Sequence, residues 1–171
     1  LMQTAYELGA PVVLNRVGRI PTGEDSPGWP VLTEVLAEMG RHGQQCGSIL
    51  TLETGAEPIE AWRRLLDALP EESIGLSLNP GELQASGSSP LELLEQFGAS
   101  IQHVYAADGQ RDPIGRSGRF IELGGGAVDF HQLIGLLAEH GYRGAMTIAP
   151  LGRADLEAEL VDSLRFLRSL R

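Results

Sequence analysis

An α/β fold built on a parallel sheet is what the sequence predicts, and three features predict it. Short runs rich in Val, Ile and Leu recur along the chain, as in strands buried on both faces. Between them stand longer segments whose apolar residues return every three or four positions, the spacing of one helical face. Runs and helical segments alternate strictly, so each strand-to-strand connection is a right-handed crossover.

The elements follow in order. Leu1, Ala5 and Leu8 give a first helical segment that Gly9 closes. Pro11 to Asn15 is a β-branched apolar run and the first strand. Arg16 to Trp29 is a polar loop with three glycines and two prolines. Pro30 suits the first turn of a helix, continued by Val31, Leu32, Val35, Leu36 and Met39 and broken between Gly43 and Gly47. Ser48 to Glu53 is the second strand, Glu57 to Leu69 a helix with Ile59, Trp62, Leu65 and Leu66 inside, and Ile74 to Asn79 the third strand. Pro90 opens a short helix through Phe97, and Ile101 to Ala106 is the fourth strand.

A long loop, Asp108 to Gly126, leads to the stretch that shows the repeating unit most clearly. There Asp129 is the expected N-cap of a helix bearing Phe130, Leu133, Leu136 and Leu137, Gly141 ends it, and Ala145 to Ala149 is the fifth strand. A last helix, Arg153 to Arg171, is expected to bury Leu156, Leu160, Leu164 and Leu167. Its acidic start and basic end match the helix dipole.

Composition narrows the function classes. The chain has 171 residues, 42% hydrophobic and 21% charged, which is an ordinary globular balance and suits one domain over residues 1–171. A formal net charge of −10 argues against nucleic-acid binding through a basic surface. No apolar run reaches the roughly 18 residues that span a bilayer, so no membrane partner is expected. The start has no basic region or cleavage-like pattern, and it reads as the middle of a helix. A single cysteine, Cys46, rules out an internal disulfide, points to the reducing cytoplasm and reads as a small buried hydrophobe.

Two parallel architectures fit this order: a doubly wound open sheet and part of a (β/α)8 barrel. A dinucleotide fold places a glycine-rich turn after its first strand. Here that strand runs into Asn15-Arg16-Val17-Gly18-Arg19, and Gly124-Gly125-Gly126 does not directly follow a strand. In a barrel the informative residues lie at strand C-termini: Asn15, Glu53, Asn79, Tyr105 and Ala149.

Four motifs carry a resemblance. Thr51-Leu52-Glu53-Thr54 is a strand ending in glutamate, followed by Leu78-Asn79-Pro80-Gly81-Glu82 and by Ile101 to Asp108. The stretch Gly124 to Ala149 then holds a glycine run, a helix, the turn Gly141-Tyr142-Arg143-Gly144 and a strand. In order and spacing the chain resembles the xylose isomerase-like TIM barrels, the sugar phosphate isomerase/epimerase group. The resemblance implies a parallel (β/α)8 TIM barrel of which this chain holds the C-terminal part, strands four to eight. Five strands cannot close such a barrel, so further strands in a longer chain or self-association are expected to cover the open edges.

The resemblance also implies a chemistry. Family members hold a divalent metal, Mn²⁺, Mg²⁺ or Zn²⁺, with Glu, Asp, His and Glu from strands five to eight, and the metal polarises a sugar carbonyl or hydroxyl. Residue by residue, Glu53 is kept, Asn79 stands for the aspartate, Tyr105 for the histidine and Ala149 for the second glutamate. Glu82 stands where some members carry a histidine for a second metal. A neutral amide, a phenol and a methyl group are poor replacements, so the usual metal site is expected to be weak or lost. What remains is Glu53 with Glu82, and Asp108 beside them, in a shifted place.

These residues have plainer readings as well. Glu53 is the expected catalytic base or metal ligand, or an acid capping the next helix. Asn79 before Pro80 suits a turn, and Asp108 before Gly109 likewise. Tyr105 either offers its hydroxyl to a ligand or fills the barrel mouth. His103 is expected to face the helices, away from Tyr105, and His42, His131 and His140 to face solvent. Arg16 and Arg19, with Arg111, Arg116 and Arg119 in the long loop, could hold a phosphate or carboxylate. Asn15, Arg16, Asn79, Glu82, Tyr105 and Arg116 are thus the expected ligand-binding residues, for a sugar or sugar phosphate. Two functions compete: a sugar phosphate isomerase/epimerase-like barrel with a degraded metal site, and a non-catalytic barrel that binds a small ligand or a protein. An endonuclease of this fold would need a metal-binding cluster that the sequence lacks.

Overall fold

The apolar runs are strands and the periodic segments helices. The computed structural model describes residues 2–112, 118–151 and 155–170. They form two compact units, Leu1–Ser77 and Leu78–Arg171, taken in turn below.

The first unit runs α1 (Met2–Glu7), β1 (Val12–Asn15), α2 (Gly28–Cys46), β2 (Ile49–Glu53), α3 (Ile59–Asp67) and β3 (Ile74–Leu78). β1, β2 and β3 pair in that order and in parallel, with Val13 beside Leu50 and Leu52 beside Leu76. Leu50, Leu52, Trp62, Leu65 and Leu76 are fully buried, as expected of a central strand and the inner face of its crossover helix. Arg64 of α3 donates from Nη2 to the Pro21 carbonyl at 2.6 Å and stands 5.2 Å from the Trp29 ring, which pins the 16–29 loop.

The helix expected to break at Gly43 instead continues to Cys46. Gly43 is there for space: a Cβ at that position would stand 2.6 Å from the Ser48 carbonyl oxygen. Gly47 ends the helix in the left-handed region, φ 79°, which glycine adopts without a Cβ penalty. Cys46 is half-exposed, 3.5 Å from His42 Nε2, and not the buried hydrophobe expected, because it sits in the last turn of a surface helix.

The second unit runs α4 (Pro80–Ser86), α5 (Pro90–Phe97), a 3₁₀ turn (Gly98–Ser100), β4 (Ile101–Ala106), β5 (Asp108–Gln110), β6 (Arg119–Ile121), α6 (Phe130–Glu139), β7 (Met146–Ile148) and α7 (Leu156–Ser169). β4 and β7 pair in parallel, Tyr105 beside Thr147. Asp129 caps α6 as expected, its Oδ1 accepting from Gln132 N–H at 3.0 Å. The Tyr142 hydroxyl donates to the Ala145 carbonyl at 2.7 Å and ties the turn to β7. Burial pushes that phenol above its ordinary pKa, opposed by a hydrogen bond with the Val104 backbone.

Three features differ from the sequence reading. α4 was not expected; seven residues are too few for a period, but Asn79 as cap and Pro80 at the first position supply its start. The long loop contains a hairpin, β5 antiparallel to β6, with Asp108 opposite Ile121. α7 starts after Asp155, whose Oδ1 accepts from Ala158 N–H at 3.0 Å. Its expected inner residues Leu156 and Leu164 are 48% and 44% exposed, while Ser163 is buried. Phe166, edge-on to Phe130 with ring centres 5.4 Å apart, sets the rotation of the helix.

Candidate functional site

In the first unit the candidate residues gather at strand ends. Asn15 lies beside Leu52, so the next residue of each strand, Arg16 and Glu53, are neighbours. Arg16 grips Glu53 as a fork: Nε donates to Oε2 and Nη2 to Oε1, both at 2.7 Å. The Glu53 side chain is 10% exposed and that of Arg16 is 68% exposed, so the guanidinium covers the carboxylate from the solvent side. Thr54 N–H donates to the Ser77 carbonyl at 2.9 Å and holds the chain just after Glu53.

In the second unit Asn79 takes the turn role. Its Oδ1 accepts from Glu82 N–H at 3.1 Å, and the residue is 4% exposed. Glu82 thus stands in the first turn of α4, half-buried. Tyr105 is half-buried on β4, and its ring meets that of His103 edge-on, centres 4.7 Å apart. His103 therefore shares the face of Tyr105 and does not point away from it, because residues two apart on a strand project to the same side. His103 Nε2 lies 2.8 Å from Thr147 Oγ1, a hydrogen bond on that same face. His42, His131 and His140 are exposed, as expected. Arg116 lies outside the described residues.

Asp108 has a larger role than a turn former. It is 1% exposed, and its two oxygens accept four backbone N–H groups. Oδ1 takes Gly109 at 2.8 Å and Val128 at 3.1 Å; Oδ2 takes Gly124 at 3.0 Å and Gly126 at 2.9 Å. Both oxygens are committed to backbone N–H groups of the chain itself. The glycine run at 124–126 was the available signal, since small residues let successive N–H groups converge on one anion.

Beside Asp108 lies a cavity of about 350 Å³ that the sequence did not suggest. The hairpin β5–β6, the ends of β4 and β7 and the first turns of α7 line it. Among the described residues, no group of three or more His, Cys, Asp or Glu is placed to hold a metal ion. No described helix is long and apolar enough to cross a membrane.

A family profile described as "Xylose isomerase-like TIM barrel" matches residues 1–170. The chain belongs to the xylose isomerase-like TIM-barrel family. Among relatives of this barrel is an inosose dehydratase of Clostridium botulinum, 26% identical over 137 residues, which are 70% of this chain and 46% of that protein. The chain spans about half the length of the curated relatives it matches. Among solved barrels, a xylose isomerase domain protein from Planctomyces limnophilus superposes with a TM-score of 0.88 at 24% identity, over 99% of this chain and 61% of that one. A xylose isomerase-like TIM barrel protein from Mycobacterium smegmatis, in complex with magnesium, has a TM-score of 0.76 at 19% identity, over 99% and 64%. The fold is a partial (β/α)8 barrel, as the family resemblance implies.

Proposed function

We propose that this chain is part of a barrel protein that binds a sugar or sugar phosphate without the metal chemistry of its family. The observation that carries this reading is the fork between Arg16 and Glu53. Glu53 is the one family ligand retained, and a fixed guanidinium already neutralises both of its oxygens. A divalent cation would have to displace that charge from a carboxylate that is 10% exposed. The other positions offer an amide oxygen used as a helix cap, a phenol and a methyl group. This donor set does not fit a hard divalent ion, which asks for several carboxylate or imidazole ligands. Arg16, Asn15 and Glu53 instead form a polar edge where strands end, the place at which barrels of this kind bind ligands. In the second unit Asn79, Glu82, Tyr105 and Arg116 remain proposed ligand-binding residues, taken by themselves. The unpaired Cys46 suits a cytoplasmic location.

A second reading is an isomerase or epimerase working through an altered metal site that keeps Glu53 as a ligand, with Glu82 the other candidate ligand. The retained Glu53 and the magnesium complex of the Mycobacterium smegmatis barrel favour it. Thermal melts with added Mn²⁺ separate the two. The binding reading expects the same melting midpoint with and without Mn²⁺, in the native chain and in Glu53→Gln. A rise with Mn²⁺ that Glu53→Gln removes overturns it.

A screen of monosaccharides and their phosphates tests the ligand class. Stabilisation by at least one of them is expected, and Arg16→Ala should weaken it roughly tenfold in affinity, the loss of one charge-assisted contact. An unchanged response in Arg16→Ala removes that residue from the site. Without ligand, Arg16→Ala should cost only about 1 kcal/mol or less in urea unfolding, because the guanidinium is largely solvated.

A further inference from the structure

We infer that Arg64 is a positioning residue for the polar edge at the strand ends: by clamping the loop 16–27 it sets Arg16 on Glu53. The inference rests on the reading of that edge as the ligand site. Its test needs no ligand, so a failed sugar screen and a failed clamp are told apart.

The loop between β1 and α2 is held to the next strand and helix, β2 and α3, at two points and in opposite senses. At its start the loop donates, from the Arg16 guanidinium to both oxygens of Glu53, the last residue of β2. Further along it accepts, the Pro21 carbonyl taking Arg64 Nη2 of α3 at 2.6 Å. The same guanidinium stands 5.2 Å from the ring of Trp29 in the first turn of α2, so it also fixes where the loop ends. Beside the clamp Ile20 is 3% exposed, and Pro21 packs against Gly28, where an added Cβ would lie 3.7 Å from the Pro21 Cγ. Val17 to Ile20 are all that separate Arg16 from Pro21, and so short a tether limits how far one end moves when the other is fixed.

Two observations say that the clamp serves Arg16 and not stability alone. The first is the bonding of Arg64 itself. Its Nε is buried and has no hydrogen-bond partner among the described residues. A buried donor left unpaired costs free energy, and an apolar side chain of the same length would avoid that cost. What the guanidinium supplies in return is the hold on Pro21 and Trp29. The second is the state of Arg16, whose side chain is 68% exposed. A long exposed side chain loses rotamer freedom when it is kept in one fork. Fixing the backbone beneath it reduces that loss, and a ligand then meets a guanidinium already in place.

The test reads the fork directly, in the whole chain. The Arg16 Nε–H proton, identified as the signal that Arg16→Ala removes, is followed by heteronuclear NMR for its exchange with water. Arg64→Met keeps the length of the stem and removes the guanidinium. It should speed that exchange roughly fivefold, the effect of one lost hydrogen bond on a local opening. Arg64→Lys keeps a donor for the Pro21 carbonyl and should fall between the native chain and Arg64→Met; it carries the test if Arg64→Met does not fold. Leu65→Ala removes a fully buried neighbour on α3 and leaves Arg64 in place, so it should lower stability without changing the exchange. Unchanged exchange in the Arg64 variants overturns the inference. So does an equal acceleration in Leu65→Ala, because the clamp would then be only part of the general stability of this unit.

Discussion

Asp108→Ala should cost about 3–5 kcal/mol of unfolding free energy, because it leaves four N–H groups without their acceptor. Those donors come from Gly109 on β5 and from Gly124, Gly126 and Val128 in the segment before α6. The carboxylate is 1% exposed, so water does not replace it without opening the hairpin. Asp108→Asn is the informative companion. It keeps one oxygen but turns an NH₂ group toward two of the donors, so roughly half of the loss is expected. Urea unfolding followed by circular dichroism measures both. Hydrogen exchange should show Gly124, Gly126 and Val128 losing protection first. A loss under about 1 kcal/mol for Asp108→Ala would mean that the four bonds do not hold this segment.

Gly109→Ala should cost about 2–3 kcal/mol, the effect of overpacking against rigid atoms. A Cβ there would stand 2.2 Å from the Gly81 carbonyl oxygen and 3.0 Å from the Gly81 carbonyl carbon. Both are backbone atoms of α4, so α4 or β5 must move as a whole. The demand is for space alone, since the Gly109 φ lies outside the left-handed region. Gly81→Ala is the milder reciprocal change, its Cβ meeting the Ala107 and Asp108 backbone at 3.0 Å. Stability should therefore rank native, then Gly81→Ala, then Gly109→Ala. The reverse order would show that the helix and the hairpin adjust around Gly109 and that their close approach is soft.

Much of the fold is legible in the residues. The five parallel strands lie where their apolar runs place them. Asp129 caps α6, and the long crossover helices appear with Trp62, Leu65, Leu133 and Leu137 buried. Each of these rests on a signal read over a few neighbouring positions: a period, a cap or a run. The family resemblance added the barrel, and the comparisons bear it out over residues 1–170.

The sequence by itself determined the order of the five parallel strands and their long crossover helices, and the family. It also located the strand ends, and so Asn15, Glu53, Asn79 and Tyr105 as the residues to inspect. Only the tertiary structure decided what those residues do. Glu53 meets Arg16 across 37 positions, and Asp108 gathers donors 16 to 20 positions away. The antiparallel hairpin, the rotation of α7 that turns Ser163 inward, and the cavity between them are of the same kind. The physical reason is one of range. Periodicity and capping are settled between residues three or four apart, whereas charge pairing and close backbone approach depend on where folding brings distant segments.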